Sequence, residues 1–111
     1  MAFSQVGGGR GAQGKKGYIY NVQDGNKDCY KVGASIDPNR RLPELRRELN
    51  NQGLHIRHQR QVSNMGAAEN EAHRLLKQNG TIHQEGTSEW FRGNYQTIQG
   101  IVYRACKKYP A

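Results

Sequence analysis

The sequence lacks the features that mark membrane, secreted or zinc-ribbon proteins. No stretch approaches the ~20 apolar residues that a membrane span needs, and the first 17 residues have no apolar core of signal-peptide type. The two cysteines, Cys29 and Cys106, stand far apart, so neither belongs to a cysteine-rich zinc site. We therefore expect free thiols, a cytoplasmic or nuclear location and no membrane partner.

Acidic residues are also scarce. The chain has 9 Asp and Glu residues against 17 Lys and Arg residues, and its formal net charge is +8. Charge of this sign and size favours anionic partners, of which a phosphodiester backbone is the commonest, although a basic surface can also serve only solubility. A length of 111 residues is enough for one compact domain and too short for two.

The first 16 residues are rich in glycine and carry Arg10, Lys15 and Lys16. This segment has too little apolar area to order itself. Residues 9–15 match most of a P-loop, but no hydrophobic strand precedes them and Lys16 occupies the position of the required hydroxyl residue. We interpret residues 1–16 as a flexible basic arm or a plain disordered tail, and residues 17–111 as a single domain.

The remaining chain alternates between strand and helix patterns. Aromatic and β-branched residues at 17–23 and 28–34 flank a strong turn signal and predict an antiparallel hairpin, and a third strand is expected at 54–62. The short apolar element at 89–91 is either a last strand or a packing anchor.

Helices are predicted where polar capping residues precede apolar residues at helical spacing. Such caps are Asp37, Asn64 and Asn94, and Pro43 either kinks the first helix or marks the start of its main part. The resulting order, β-β-α-β-α-(β)-α, predicts an α+β domain in which helices flank a small antiparallel three-stranded sheet.

Five residues could carry phosphodiester chemistry. Tyr20 and Lys31 lie on the paired strands, Arg41 lies beside the leucine stripe of the first helix, and Glu69 and His73 share a face of the second. A carboxylate can hold a divalent metal, a guanidinium matches phosphate oxygens, and a tyrosine can relay a proton from water. Each residue alone has an ordinary structural interpretation, as a packing tyrosine or a solvated charge.

Together these residues resemble the GIY-YIG nuclease superfamily, in its compact branch with a Lys-Ile/Val-Gly second motif and a late Glu-Trp-Phe. The first motif corresponds to Tyr18-Ile19-Tyr20, the second to Lys31-Val32-Gly33, and the last to Glu89-Trp90-Phe91. The resemblance runs from residue 17 to about residue 91. It implies the small GIY-YIG fold and hydrolysis of nucleic-acid phosphodiesters with one Mg or Mn ion.

The resemblance also assigns roles to individual residues. It implies that Tyr20, Arg41 and His73 are catalytic and that Glu69 holds the metal. Arg40 is the alternative to Arg41 if the register is off by one, and Glu71 is a weaker alternative to Glu69.

The chain departs from the family pattern at two positions. Lys31 stands where the second motif has tyrosine, and strand alternation sends the adjacent Tyr30 to the other face. The late asparagine of many members has no clear counterpart, Glu89 or Asn94 being nearest. A hairpin would place Lys31 and Tyr20 on one side of the sheet, where Lys31 either lowers the tyrosine pKa and acts catalytically, or binds the scissile phosphate.

The leading hypothesis is a metal-dependent endonuclease, with DNA preferred over RNA as its substrate. The alternatives are a binding module that kept the fold and lost cleavage, and an interaction domain for an acidic partner. A homodimer is compatible with a site that cuts one strand, but no residue indicates it. The expected phosphate contacts come from Arg10, Lys15, Lys16, Arg40, Arg46, Arg47, Arg57 and Arg60.

Overall fold

The computed structural model describes residues 14–79, 82–84 and 90–111, with the backbone alone for residues 82–84. Its strands are β1 (Gly17–Asp24), β2 (Cys29–Ser35), β3 (Leu54–Val62), β4 (Ile82–Gln84) and β5 (Trp90–Arg92). Its helices are α1 (Pro38–Glu48), α2 (Met65–Gln78) and α3 (Tyr95–Cys106). Within the described residues, no helix is long and apolar enough to cross a membrane. Both cysteines are free and buried.

The sheet is antiparallel between all its neighbours and has the strand order β3-β1-β2-β5-β4. The predicted hairpin is confirmed, with Tyr20 opposite Gly33 and Val22 opposite Lys31. The predicted sheet of three strands was too small, because β4 and β5 extend it to five. The strand β5 lies at the short apolar element for which a last strand was one of the two interpretations. The strand β4 was not predicted, because three residues are too few for an alternating pattern to be read from sequence.

All three helices begin at the predicted capping residues. The side chains of Asp37, Asn64 and Asn94 each accept a hydrogen bond from a backbone N–H in the first turn, at 3.3, 3.1 and 2.8 Å. Pro43 lies inside α1 and is not its start, which is at Pro38. The α+β class predicted from the sequence is therefore confirmed.

Each face of the sheet carries its own core. On one face, Ile19, Tyr30 and Val32 pack with the apolar residues of α2 and α3. On the other face, Tyr20 and Val22 pack with the leucines of α1 and with further apolar residues, which are Leu54, Cys29 and Trp90. Strand alternation thus places Tyr20 on the α1 side, in contrast to its neighbour Ile19.

The domain includes residues before residue 17, its predicted first residue. The Gly14 N–H donates to the Asn64 side chain at 2.9 Å, and the Lys15 carbonyl accepts from the Met65 N–H at 2.8 Å. Residues 14–16 therefore help to cap the N-terminus of α2 while the Lys15 and Lys16 side chains stay exposed. The rest of the predicted arm, with Arg10, lies outside the described residues.

Candidate active site

Tyr20 lies on β1 with its phenol over a glycine of β2. A Cβ atom built on Gly33 would lie 2.5 Å from the Tyr20 hydroxyl oxygen and 2.6 Å from Cζ. Real Cβ atoms do not approach other heavy atoms so closely, so a larger residue at position 33 would displace the ring. The tyrosine side chain is buried, and its ring packs directly against the backbone of Gly33.

Arg41, in the first half of α1, brings its guanidinium to this phenol. Two carboxylates of the same helix hold the guanidinium: Glu44 accepts a hydrogen bond at 2.9 Å and Glu48 accepts two, at 2.9 and 3.3 Å. These partners raise the pKa of Arg41 well above its ordinary value, so the group stays charged. A third of the arginine side chain remains exposed, which leaves part of the guanidinium open to a ligand.

Glu69 projects from α2 and is buried, with 8% of the residue exposed. Among the described residues, its Oε1 atom has no hydrogen-bond partner. Burial raises the pKa of Glu69 to about 7, and the Lys31 ammonium opposes that rise. A buried carboxylate oxygen without a partner costs free energy until a proton or a cation satisfies it.

Lys31 lies on the same face of the sheet as Tyr20, as the hairpin predicted. Its ammonium acts electrostatically on Glu69 and on Glu48. The expectation that Lys31 lowers the tyrosine pKa is wrong, because burial raises the pKa of Tyr20 and the cation that opposes the rise is Arg41. The removal of water from the phenol outweighs the nearby positive charge.

His73 fastens α2 to the sheet. Its Nε2 donates a hydrogen bond to the Val32 carbonyl at 2.6 Å, and its ring lies against Phe91 with 5.3 Å between ring centroids. Among the described residues, β5 pairs with β2 at Cys29 and Tyr30, and Val32 lies beyond that paired stretch. His73 therefore satisfies a carbonyl of β2 and fixes the helix that carries the buried glutamate, a role that sequence spacing did not reveal.

The two arginine candidates at the start of α1 have different surroundings. Both line an open cleft of about 410 Å³ together with Ile36 and Met65, but Arg41 contacts the phenol whereas Arg40 is exposed. The geometry thus favours Arg41 over Arg40 as the partner of Tyr20. Arg40 remains placed to contact a ligand that enters the cleft.

The other arginines predicted to bind phosphate do not form one surface with this site. Arg46 donates from Nε to the Leu54 carbonyl at 2.9 Å and so ties α1 to β3, while Arg47 is exposed near the end of α1. Arg57 and Arg60 lie on the opposite side of the sheet, packed against tyrosines of α3.

The remaining alternatives have other partners or lie outside the described residues. Glu71 binds Arg74 at 2.7 Å and also pairs with Lys108, and these contacts lower its pKa to about 2. Asn94 caps α3, and Glu89 lies outside the described residues. Within the part of the chain that is described, no group of three or more His, Cys, Asp or Glu residues could hold a metal ion together.

Sequence reasoning missed Glu44 and Glu48, the carboxylates that hold Arg41. The signal was available, because residues three and seven positions after Arg41 fall on its face of a helix. Their importance depends on the contact between Arg41 and Tyr20, which joins two separate elements and which helical spacing cannot show.

The comparison with protein families matches this arrangement of elements. The T5orf172 domain matches residues 17–106, which span β1 to the end of α3. The chain belongs to the T5orf172 domain family. This family is associated with nuclease-like and DNA-binding function. Comparisons with curated proteins and with solved structures found no match.

Proposed function

We propose that this T5orf172 domain is a metal-dependent endonuclease of the GIY-YIG type, which hydrolyses phosphodiester bonds with DNA preferred over RNA. The observation that carries the proposal is the buried oxygen of Glu69, which has no hydrogen-bond partner among the described residues and whose carboxylate acts electrostatically on Tyr20. The same phenol meets the Arg41 guanidinium. A metal-ligand type, a proton-relay group and a phosphate-binding group thus belong to one electrostatic network.

Glu69 is the residue that would hold a single Mg or Mn ion. Magnesium binds proteins through one or two carboxylates and keeps several waters, so a lone glutamate fits its preferences. Its Oε1, to which no described residue donates a hydrogen bond, is an acceptor that a cation would satisfy. When bound, the ion would polarise the phosphate and stabilise the leaving oxygen.

Arg41 is suited to the phosphate oxygens, because a guanidinium offers donors in a planar fork. Glu44 and Glu48 hold that fork in place before a substrate arrives, so little side-chain freedom is lost on binding. Tyr20 is buried and protonated in the ligand-free protein, since burial raises its pKa. Arg41 favours the phenolate, and a bound divalent cation would add to that effect. The phenol would then lose its proton to solvent, and the phenolate could accept a proton from the attacking water.

A binding module of the same fold is the alternative function. The observation that favours it is the engagement of Arg41 by two carboxylates, which compete with a phosphate for the same donors. The substitution of Lys31 for the motif tyrosine favours it as well. A binding module retains DNA and does not cut it.

Plasmid nicking distinguishes the two functions. We expect the full chain to convert supercoiled plasmid to the nicked form with Mg or Mn and to stop when a chelator is added. Glu69→Gln should slow nicking by ~100-fold or more, the usual effect of removing one electrostatic group from a catalytic site. Glu71→Gln is the matched control and should nick at the wild-type rate, because Glu71 points away and pairs with Arg74. A chain that retards plasmid in a gel without nicking it under any metal is a binding module.

A further inference from the structure

The positive charge of the chain is concentrated where acidic residues are absent. No Asp or Glu occurs in residues 49–68 or 90–111. The first stretch contains β3 and the second contains α3. In contrast, the carboxylates of α1 lie beside Arg41 and pair with it. The strand β3 and the helix α3 themselves therefore carry cations and no carboxylates.

Tyrosines of α3 hold the cations of β3 in fixed positions. The Arg57 guanidinium lies 4.1 Å from the centre of the Tyr95 ring, and the Arg60 guanidinium lies 4.7 Å from that of Tyr103. Lys107 approaches the Tyr103 ring as well, at 5.4 Å. Tyr103 is one of the large exposed hydrophobic residues, with 41% of its surface accessible. We call these five residues the basic ridge.

The dimensions of the basic ridge suit a nucleic-acid strand. Tyr95 and Tyr103 are just over two turns apart on α3, or about 12 Å at ~1.5 Å per residue. Successive nucleotides of a duplex strand rise by ~3.4 Å, so the ridge spans roughly three to four of them. A guanidinium held by an aromatic ring still presents N–H donors at its rim, and it loses less freedom on binding than a mobile one.

The basic ridge is separate from the candidate active site. Arg60 lies opposite Ile19 on β1, whereas Tyr20 lies opposite Gln59. Ile19 belongs to the core on the α2 and α3 side, and Tyr20 belongs to the core on the α1 side. A strand positioned for cleavage at Tyr20 thus lies across the sheet from the ridge.

We propose that the basic ridge is a second nucleic-acid-binding surface, which holds the phosphodiester backbone of a segment other than the one being cut. Glu71 of α2, which pairs with Lys108 just after α3, does not oppose this role because Arg74 and Lys108 neutralise it. This proposal depends on the proposed function only because it takes nucleic acid as the partner. It predicts that long nucleic acids bind more tightly than segments that reach one surface only.

Binding measurements on a charge-neutral double variant test the proposal. Arg57→Gln with Arg60→Gln should weaken the binding of a fluorescent 40-base-pair duplex, measured by anisotropy with chelator present, by about tenfold or more. The plot of log affinity against log salt should become shallower by ~2, since each lost phosphate contact removes ~1. Lys27→Gln with Arg92→Gln removes the same charge from exposed side chains outside the ridge and should leave affinity and slope nearly unchanged.

Two further measurements separate charge from packing and binding from catalysis. Arg57→Lys with Arg60→Lys keeps the charges and should restore most of the affinity, while thermal unfolding checks that all variants fold. Plasmid nicking by the Gln variant should saturate only at higher DNA concentration, with the maximal rate retained. Unchanged duplex affinity in the Gln variant overturns the ridge, and so does an equal loss in the control variant. The proposal is also overturned if the Gln variant loses binding to vesicles of anionic lipid but keeps its duplex affinity.

The two proposals can fail independently. A chain without nicking activity whose duplex binding depends on Arg57 and Arg60 keeps the ridge and loses the nuclease. A chain that nicks plasmid with the ridge variants indistinguishable from wild type keeps the nuclease and loses the ridge.

Discussion

The two faces of the sheet treat charge in opposite ways. On the α1 face, Arg41 is matched by carboxylates beside Tyr20. Glu69, which α2 supplies, acts electrostatically on the same tyrosine and is buried with an oxygen that has no partner among the described residues. On the α3 face, Arg57 and Arg60 are exposed and lie against aromatic rings. The sequence stretches that contain β3 and α3, residues 49–68 and 90–111, have no carboxylate. The first arrangement fixes a few groups in a poorly hydrated site, as catalysis requires. The second offers charge to a large anion with little need for exact geometry.

The largest effect is expected at Gly33, where the Tyr20 ring leaves no space for a side chain. Gly33→Ala places a methyl group within the Tyr20 ring, so the phenol must move away from Arg41. We expect metal-dependent nicking to fall by ~100-fold or more, because a displacement of ~1 Å from the productive geometry has effects of that size. Overpacking of this kind also lowers the free energy of unfolding by about 1–3 kcal/mol.

Duplex affinity at the basic ridge is the control for this variant. Gly33→Ala should leave it near the wild-type value, since the two faces are separated by the sheet. A variant that nicks at the wild-type rate would show that the position of the phenol is not critical. The α1 face would then no longer be supported as the catalytic face.

A second prediction uses the buried carboxylate and pH. The pKa of Glu69 in the folded protein is about 7, above the ordinary value of 4.5. The folded state therefore holds an extra proton between these values, and its stability falls as pH rises through about 7. Glu69→Gln lacks this loss. With chelator present, the unfolding free energy of the variant relative to the wild type should therefore increase by about 3 kcal/mol between pH 4.5 and pH 8.

Urea denaturation at both pH values measures this difference. Glu71→Gln is the comparison, because the pKa of Glu71 is lowered to about 2 and its ionisation is complete throughout the range. Addition of Mn at pH 8 should stabilise the wild type and not the Gln variant. An equal difference at the two pH values would mean that Glu69 is not desolvated in the folded protein.

A third prediction concerns the lysine that replaces the motif tyrosine. Lys31 opposes the rise in the Glu69 pKa, so Lys31→Met should raise that pKa further. We expect nicking at neutral pH to fall by roughly tenfold and the pH–rate profile to move upward, because the ion requires the carboxylate. Lys31→Arg keeps the charge and should resemble the wild type. Weaker DNA binding with an unmoved profile would instead indicate a direct phosphate contact.

The smallest effect is expected at the N-terminal segment. Deletion of residues 2–16 removes the contacts of Gly14 and Lys15 with the start of α2, which should lower unfolding free energy by about 1 kcal/mol, as the loss of a helix cap does. Deletion of residues 2–13 keeps these contacts and should leave stability unchanged in thermal unfolding. Equal melting temperatures for the two deletions would show that the contacts do not stabilise the domain.

Local sequence patterns were sufficient for most of the elements. Strands β1 to β3 and all three helices follow from alternation, helical spacing and capping residues, because these signals act over a few neighbouring residues. The common face of Tyr20 and Lys31 followed from the hairpin alone. The assignment of Tyr20, Arg41 and Glu69 to one site came from the family resemblance and not from these local patterns, and it stays a prediction.

Contacts between distant elements were decided by the tertiary structure alone. The pairing of β5 with β2, the hydrogen bond from His73 to Val32 and the position of Arg57 across the sheet from Tyr20 join residues far apart in sequence. The raised pKa of Tyr20 likewise depends on what covers the phenol and not on its own strand. A strand's pattern determines that its residues alternate between two faces. Only the packing of the helices determines which groups on each face are buried and which stay exposed to water.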